Sequence, residues 1–374
     1  MPKLLMITGL GGGRDLALGK KGAFYNTLEE FHKYWERIDI VLPHIKNVNH
    51  EVNVFGNIYL HISPWPLVFH PVWFLWKCNK IYREQKFNLI TVHEFPPFYN
   101  GIGARLLWHK IKVPYVLEIM HIPGYPKAGN FREKIYKWLM QVFIAIDSGK
   151  AVAVRVINKK ETPEFLVQAG VPKHKLKYIP AFYIDLDVFK PLDTPKEYDL
   201  VFAARLEQNK GIYQLLQPIS KAKTQMPNLK LLVVGQGSER KNLESKIKTL
   251  GLRKNVVFSG WLEGPQDVAK AYNSAKCFIN PSYNEGGPRV VLEAMACGLP
   301  VITTQVGLMH DIIQNGQNGL FTGWEPAEMA DRILNLLNDQ ELQYKFSFAG
   351  KELVKEFERK AAIKNYADKL KSLL

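Results

Sequence analysis

The stretch Asn284-Glu285-Gly286-Gly287-Pro288-Arg289-Val290-Val291-Leu292-Glu293-Ala294-Met295-Ala296-Cys297-Gly298-Leu299-Pro300-Val301-Ile302 leaves this chain few folds. It reads as loop, helix, stop and strand. Gly286 and Gly287 let the backbone lie close to a ligand. Pro288 suits the first helical position, where the N–H it lacks would go unpaired anyway. Gly298 ends the helix, and a short apolar β-branched run follows. Elsewhere the same alternation recurs. Lys3–Thr8, Asn88–Val92 and Tyr115–Met120 read as buried strands, as do Asp199–Ala204, Leu229–Val234, Val256–Gly260, Cys277–Asn280 and Val301–Thr304. Helical patterns fill the gaps, one of them starting near Ala23 with Phe24, Leu28, Phe31 and Trp35 on one face. Strand–helix alternation of this kind makes parallel α/β sheets, whose ligands bind beyond the carboxyl ends of the strands.

A chain of 374 residues exceeds what one core organises, so two domains are expected. A linker rich in Pro, Asp and Lys (Phe189-Lys190-Pro191-Leu192-Asp193-Thr194-Pro195-Lys196) places the boundary near residue 190, giving residues 1–190 and 191–356. Three scattered cysteines, Cys78, Cys277 and Cys297, make neither a disulfide framework nor a metal knuckle, which points to a reducing compartment. Met1-Pro2-Lys3 leads straight into a strand, and no run of 18 apolar residues occurs, so the expectation is a cytoplasmic protein without a spanning segment.

The two glutamates of the opening stretch carry the chemistry. Glu285 precedes the helix and Glu293 lies about five residues inside it, roughly 7–8 Å further along the axis. A carboxylate accepts two hydrogen bonds side by side, which suits adjacent hydroxyls of a sugar or a ribose. The helix start offers free N–H groups and a positive dipole end to phosphate. Sugar hydroxyls, phosphate and ribose hydroxyls in a row describe a nucleotide-sugar.

With its Leu-Glu-Ala-Met-Ala-x-Gly-x-Pro-Val core, the stretch resembles the Glu-x7-Glu motif of family 4 of the retaining glycosyltransferases. That resemblance implies the GT-B fold: two doubly wound Rossmann-like domains facing a central cleft, with the last helix (residues 357–374) crossing back to the first domain. It also implies sugar transfer with retention of the anomeric configuration. Glu285 would bind the donor sugar and Glu293 the ribose, with Gly286, Gly287, Pro288 and Arg289 framing the phosphate site. In Val201-Phe202-Ala203-Ala204-Arg205-Leu206 and Lys210-Gly211-Ile212, Arg205 and Lys210 match the pair that grips the diphosphate, although Ala204 stands where the family has Gly. Two fixed cations stabilise a leaving nucleoside diphosphate without a metal. No Asp-x-Asp stands at a strand end; Asp185-Leu186-Asp187 has the spacing but reads as a turn. Gly235 and Gly237 close another strand, where a donor-side loop and an ordinary tight turn both fit. Trp261 and Leu262 match the segment whose backbone meets the base. A UDP- or GDP-sugar is the expected donor, and neither a metal nor a cofactor is expected.

In the first half the match thins. A glycine loop should approach both substrates, and Gly11-Gly12-Gly13 and Gly22 compete for that role, with Gly22 favoured because it abuts the helix. His121 resembles the family's strand-end histidine at the reacting sugar; His93-Glu94 also ends a strand. For both imidazoles, a substrate contact and a packed structural role stay open. Ile179-Pro180-Ala181-Phe182-Tyr183-Ile184-Asp185 departs from the family's hinge-side Pro-Asn-Gly-Val-Asp.

The net charge of +15 is lopsided, with 26 Lys/Arg against 15 Asp/Glu over residues 1–190. Such a field attracts nucleic acid, anionic lipid or phosphorylated substrate. No nucleic-acid module accompanies it, so nucleic acid is not the expected partner; a basic nucleic-acid-binding protein and, among enzymes, a nucleotide-sugar epimerase of the same fold are the alternative readings. Residues 64–76 run Pro-Trp-Pro-Leu-Val-Phe-His-Pro-Val-Trp-Phe-Leu-Trp and lead into Lys77, Lys80, Arg83 and Lys86. Phe131, Ile135, Trp138, Leu139 and Val142 recur at helical spacing among Arg132, Lys134 and Lys137. Aromatics beside cations suit a membrane headgroup region, which suggests an anionic or lipid-linked acceptor at the inner face of a membrane; core packing with solvated lysines is the alternative.

Overall fold

The computed structural model describes residues 1–46, 48, 52–94, 98–180 and 182–374. The chain divides into two compact units, each built from stretches distant in sequence: Met1–Ile122, Ile135–Ala181 and Lys360–Leu374 in the first, Pro123–Lys134 and Phe182–Arg359 in the second. Ala181, in the segment that departs from the family's hinge-side turn, lies outside the described residues.

The first unit is an eight-stranded sheet. Its strands are β1 (Lys3–Ile7), β2 (Arg37–Leu42), β3 (Val52–Val54), β4 (Ile58–Ile62), β5 (Leu89–His93), β6 (Tyr115–Ile119), β7 (Ala153–Val156) and β8 (Leu176–Tyr178). They lie in the order β3-β4-β2-β1-β5-β6-β7-β8, parallel except for β3. β1, β5 and β6 coincide with sequence-predicted strands to within a residue or two. β2 and β4 were hidden by polar residues at buried positions. Asp39 in β2 is wholly buried, where it accepts from Arg37 Nε at 3.0 Å and sits 2.8 Å from His61 Nε2 of β4. Burial pushes this carboxyl up, and His61 and Arg37 pull it below its ordinary value, so the charge is held in place by its partners. Five helices matter below: α1 (Leu10–Ala17), α2 (Ala23–Phe31), α3 (His70–Gln85) and α4 (Tyr99–Ile111) of this unit, and α5 (Phe131–Ser148), which belongs to it from Ile135 on.

The second unit is a six-stranded parallel sheet of β9 (Tyr198–Ala203), β10 (Leu231–Val234), β11 (Val256–Gly260), β12 (Ala275–Asn280), β13 (Val301–Thr303) and β14 (Leu320–Phe321), in the order β11-β10-β9-β12-β13-β14. Buried leucine, isoleucine and valine side chains pack both of its faces, as a parallel sheet covered by helices requires. The segment 189–196 is bonded into this unit. The Asn273 side chain accepts from Leu192 N at 2.8 Å and donates to Lys190 O at 3.0 Å. Asp185-Leu186-Asp187 is a turn, with Asp187 N donating to Asp185 Oδ1 at 3.2 Å. Cys78, Cys277 and Cys297 are buried free thiols.

Candidate functional site

In the second unit the sequence-predicted donor residues converge on the loops that leave the carboxyl ends of β9, β10 and β12. The loop after β9 carries Arg205, then a 3₁₀ turn over Gln208–Lys210, and a helix begins at Ile212. Gly211 makes the join. Its φ of +72° is left-handed, and a Cβ there would stand 2.0 Å from Pro281 O, so only glycine lets the Lys210 turn pack on the loop after β12. Gly235 plays the same part after β10: φ is +128° and a Cβ would meet Ala204 O at 2.0 Å. A Cβ on its partner Gly237 would stand 2.3 Å from Leu206 O, so the Gly-x-Gly turn holds the Arg205 loop by backbone contact.

This packing delivers Lys210 to Glu285. Their Nζ and Oε1 are 2.5 Å apart, both half-buried, and Ser282 Oγ donates to the same carboxylate oxygen at 3.2 Å. Arg205 is exposed, with Nη1 donating to Glu207 Oε1 at 2.8 Å. Gly287 packs under the Phe182 ring, where a Cβ would stand 2.3 Å from the nearest ring atom. The Gly286 carbonyl accepts from Leu308 N at 3.0 Å. Pro288 is the cap residue rather than the first helical one, and the helix runs Arg289–Ala296. Gly298, at φ +81°, stops it, donating to Met295 O at 2.9 Å.

Glu293 lies inside that helix. Its Oε2 accepts from Tyr272 OH at 3.2 Å, and burial raises its pKa despite the Arg289 charge and the Tyr272 bond. Trp261 is exposed just past β11, and Leu262 behind it packs on the core.

Several residues of this region had no signal in the sequence reading. Tyr272 holds Glu293 from a neighbouring helix. The short segment Pro123–Lys134, far away in sequence, covers the loop before Glu285. Asn284 Nδ2 donates to Lys127 O and to Glu133 Oε2, each at 2.9 Å, and Lys127 Nζ lies 4.6 Å from the centre of the Tyr283 ring and 4.8 Å from that of Trp324. The Asn284 and Tyr283 side chains beside the glutamate were the available hint.

The first unit holds a cavity of about 250 Å³ where β1, β5, β6 and β7 end beneath α1 and α2. Met6, Phe24, Leu28, Phe31 and Met120 form apolar walls, and Gly11, Gly12 and Gly13 cross it at the start of α1. Gly22, the favoured candidate, caps the start of α2 and lies outside this lining. His93 lines the cavity, whereas His121 is exposed beyond β6 and does not. Burial lowers the His93 pKa against the pull of Glu118, keeping the ring neutral. At the inner end, Arg155 Nη1 pairs with Glu118 Oε1, which also accepts from Tyr366 OH at 2.9 Å. Arg155 Nε donates to Ile179 O at 2.8 Å.

The outer face of the first unit is unusually apolar. α3 packs on α4 through Phe74 and Gly103, and α4 meets α5 where the Phe98 and Phe143 rings stack 5.4 Å apart. Across these helices and the turn before α3, Trp65, Phe69, Val72 and Trp76, Ile102 and Leu106, and Ile135, Trp138, Val142 and Ile146 are all exposed. Of the aromatics in residues 64–76, only Trp73 and Phe74 enter the core. No helix among the described residues is long and apolar enough to cross a membrane.

Known proteins resemble this chain in sequence and in fold. Residues 184–353 match the family model of glycosyl transferases group 1. An uncharacterized glycosyltransferase of Methanocaldococcus jannaschii is 28% identical over 82% of this chain and 80% of its own length. Among solved structures, sucrose-phosphate synthase from Thermosynechococcus elongatus superposes with a TM-score of 0.80 at 18% identity, covering 100% of this chain and 99% of the other. Anabaena HepE in complex with UDP-glucose does so with a TM-score of 0.75 at 18% identity, covering 100% of both. Residues 184–353 therefore resemble glycosyl transferases group 1, and the whole chain has the fold of the GT-B glycosyltransferases.

Proposed function

We propose that this glycosyltransferase takes its sugar from a nucleotide-sugar, keeps the anomeric configuration and needs no metal ion. The observation that carries the reading is the Lys210–Glu285 pair, with Arg205 on the same loop as Lys210, at the carboxyl ends of the second sheet and at the mouth of the helix that bears Glu293. Glu285 binds the donor sugar and Glu293 the ribose. Lys210 and Arg205 hold the diphosphate, whose charge grows as the bond to the sugar breaks, so they favour the transition state over the ground state. Glu285 then steadies the Lys210 ammonium before and after transfer. The UDP-glucose bound by Anabaena HepE, which shares the fold, supports a UDP-sugar as donor. Retention rests on the resemblance of the Glu-x7-Glu motif to the retaining enzymes.

A thermal-shift screen against UDP-, GDP- and ADP-sugars tests the donor, because a ligand that binds only the folded state raises its apparent stability. No shift with any of the three overturns the reading. Turnover that survives EDTA supports metal-independent transfer, and loss of turnover refutes it.

The acceptor is proposed to be lipid-borne. The exposed tryptophans and aliphatics of α3, α4 and α5 cover one face of the first unit, with Lys77, Lys80 and Arg83 on α3 among them. Rings seat at the headgroup level, and the cations draw anionic lipid. Vesicle co-sedimentation that rises with anionic lipid content and falls with salt supports it. A protein that ignores anionic vesicles at low salt has a soluble acceptor instead.

A further inference from the structure

We infer that the cavity of the first unit takes an uncharged, largely apolar part of the acceptor, carrying one oxygen at its inner end that receives a hydrogen bond from Arg155. This deepens the proposed transfer reaction and rests on it for the word acceptor. The binding site itself does not depend on it.

Charge decides first. Arg155 is buried to 1% exposure, and its ion pair with Glu118 leaves the inner end of the cavity without net charge. A phosphate or carboxylate placed there would meet Glu118 as well as Arg155, and would lose its hydration shell for little return. His93 adds no positive charge. An uncharged group is what this surface receives best.

The supply of hydrogen bonds decides next. Arg155 Nη2 is buried and has no partner among the described residues, an expensive omission for a guanidinium. The other polar groups of the lining are already engaged. Tyr366 OH donates to Glu118, Thr27 Oγ1 donates to Ala23 O at 2.9 Å, and Thr8 Oγ1 leans on Gly9 O at 3.4 Å. A bare sugar ring would bury several hydroxyls against Met6, Phe24, Leu28, Phe31 and Met120, with too few partners to satisfy them. A mostly apolar group with a single hydroxyl, ether or carbonyl oxygen leaves nothing unpaired. It also completes Arg155.

The full-length protein is titrated, by ligand-observed NMR, with 1-octanol, octyl phosphate and glucose. Saturable binding of octanol is expected, with octyl phosphate several-fold weaker and glucose unbound. Two variants tie the signal to the cavity. Gly11 lines the cavity and a Cβ there would meet nothing within 4 Å, so Gly11→Leu adds bulk at the lining and should lower octanol affinity at least tenfold. Glu118→Gln/Arg155→Met removes the pair together, leaving no buried charge unpartnered, and should lower it several-fold. Octanol binding undiminished in Gly11→Leu would place the ligand on the exposed apolar face and overturn the inference. Tighter binding of octyl phosphate or glucose would overturn it equally. Nucleotide-sugar thermal shifts are recorded on the same samples. Shifts without octanol binding defeat this inference alone, whereas octanol binding without shifts defeats the proposed donor and leaves the cavity as a ligand site.

Discussion

The loops of the second unit and the cavity of the first solve opposite problems with the same kind of sheet. The loops present charge at the surface: Arg205 is exposed, Lys210 and Glu285 half-buried, and glycine backbone fixes where they stand. The cavity hides charge: Glu118 and Arg155 neutralise each other out of water, and apolar side chains set the shape. A site for a polyanion has to keep its cations reachable, and a site for a neutral group has to spend them internally. The difference shows that an α/β sheet end carries no chemistry of its own. The side chains on the loops supply all of it.

The contrast breaks most visibly at Lys210. Lys210→Ala should lower kcat at saturating donor about 10²–10³-fold, the usual cost of removing one group aimed at developing charge. Wild-type turnover in that variant would remove the second-unit loops from the chemistry. Next comes backbone packing. Gly235→Ala and Gly211→Ala each drive a methyl into a carbonyl oxygen at a positive φ, and should cost about 2–4 kcal/mol in urea unfolding. Gly11→Ala, whose Cβ meets open space, should cost less than either. Equal effects at the three sites would deny that glycine packing is the device of the second unit.

Glu293 sharpens the comparison through pH. Glu293→Ala should weaken donor binding by about 1–3 kcal/mol, since ribose hydroxyls lose their acceptor. Burial raises this carboxyl, so on acidification it protonates while pH is still above the ordinary glutamate range. Donor affinity should fall through that window and be flat in Glu293→Gln. For stability the sign is opposite: the folded state holds this proton more tightly than the unfolded one, so the group's contribution improves as pH falls through the raised value. Donor affinity that is independent of pH there would refute a ribose contact by the carboxylate. The smallest effect is expected at the apolar face, where Lys80→Ala should weaken partition to anionic vesicles about fivefold, from about 1 kcal/mol per cation near the surface.

Legibility in the sequence follows the same division. The two parallel sheets could be read because their central strands are uninterrupted apolar runs. The Glu285–Glu293 motif could be read because loop, helix and stop are contiguous. β2 escaped because Asp39 sits at a core position that only His61 and Arg37, supplied by the fold, make tolerable. The inner end of the cavity escaped, although Gly11, Gly12, Gly13 and His93 on its lining were among the candidates. Glu118 and Arg155 are 37 residues apart and Glu118 and Tyr366 are 248 apart, and no local pattern marks a charge that will be cancelled from so far away. His93 and His121 looked alike as strand-end histidines, and only the register of β5 and β6 separates the one that lines the cavity from the one that does not.

Because Tyr366 belongs to the first unit while the bulk of the second unit precedes it in the chain, the two units finish in the reverse of their order of synthesis. On the ribosome, the sheet of the first unit emerges early but waits for Lys360–Leu374 before Glu118 and Arg155 gain their tyrosine. Until then a buried ion pair stands open to water and a wall of the cavity is missing. Partly built α/β units of this kind expose apolar surface and draw chaperones. A nonsense change just before Lys360 would therefore injure the part of the protein made first, and leave the later-made loops of the second unit with their own packing intact.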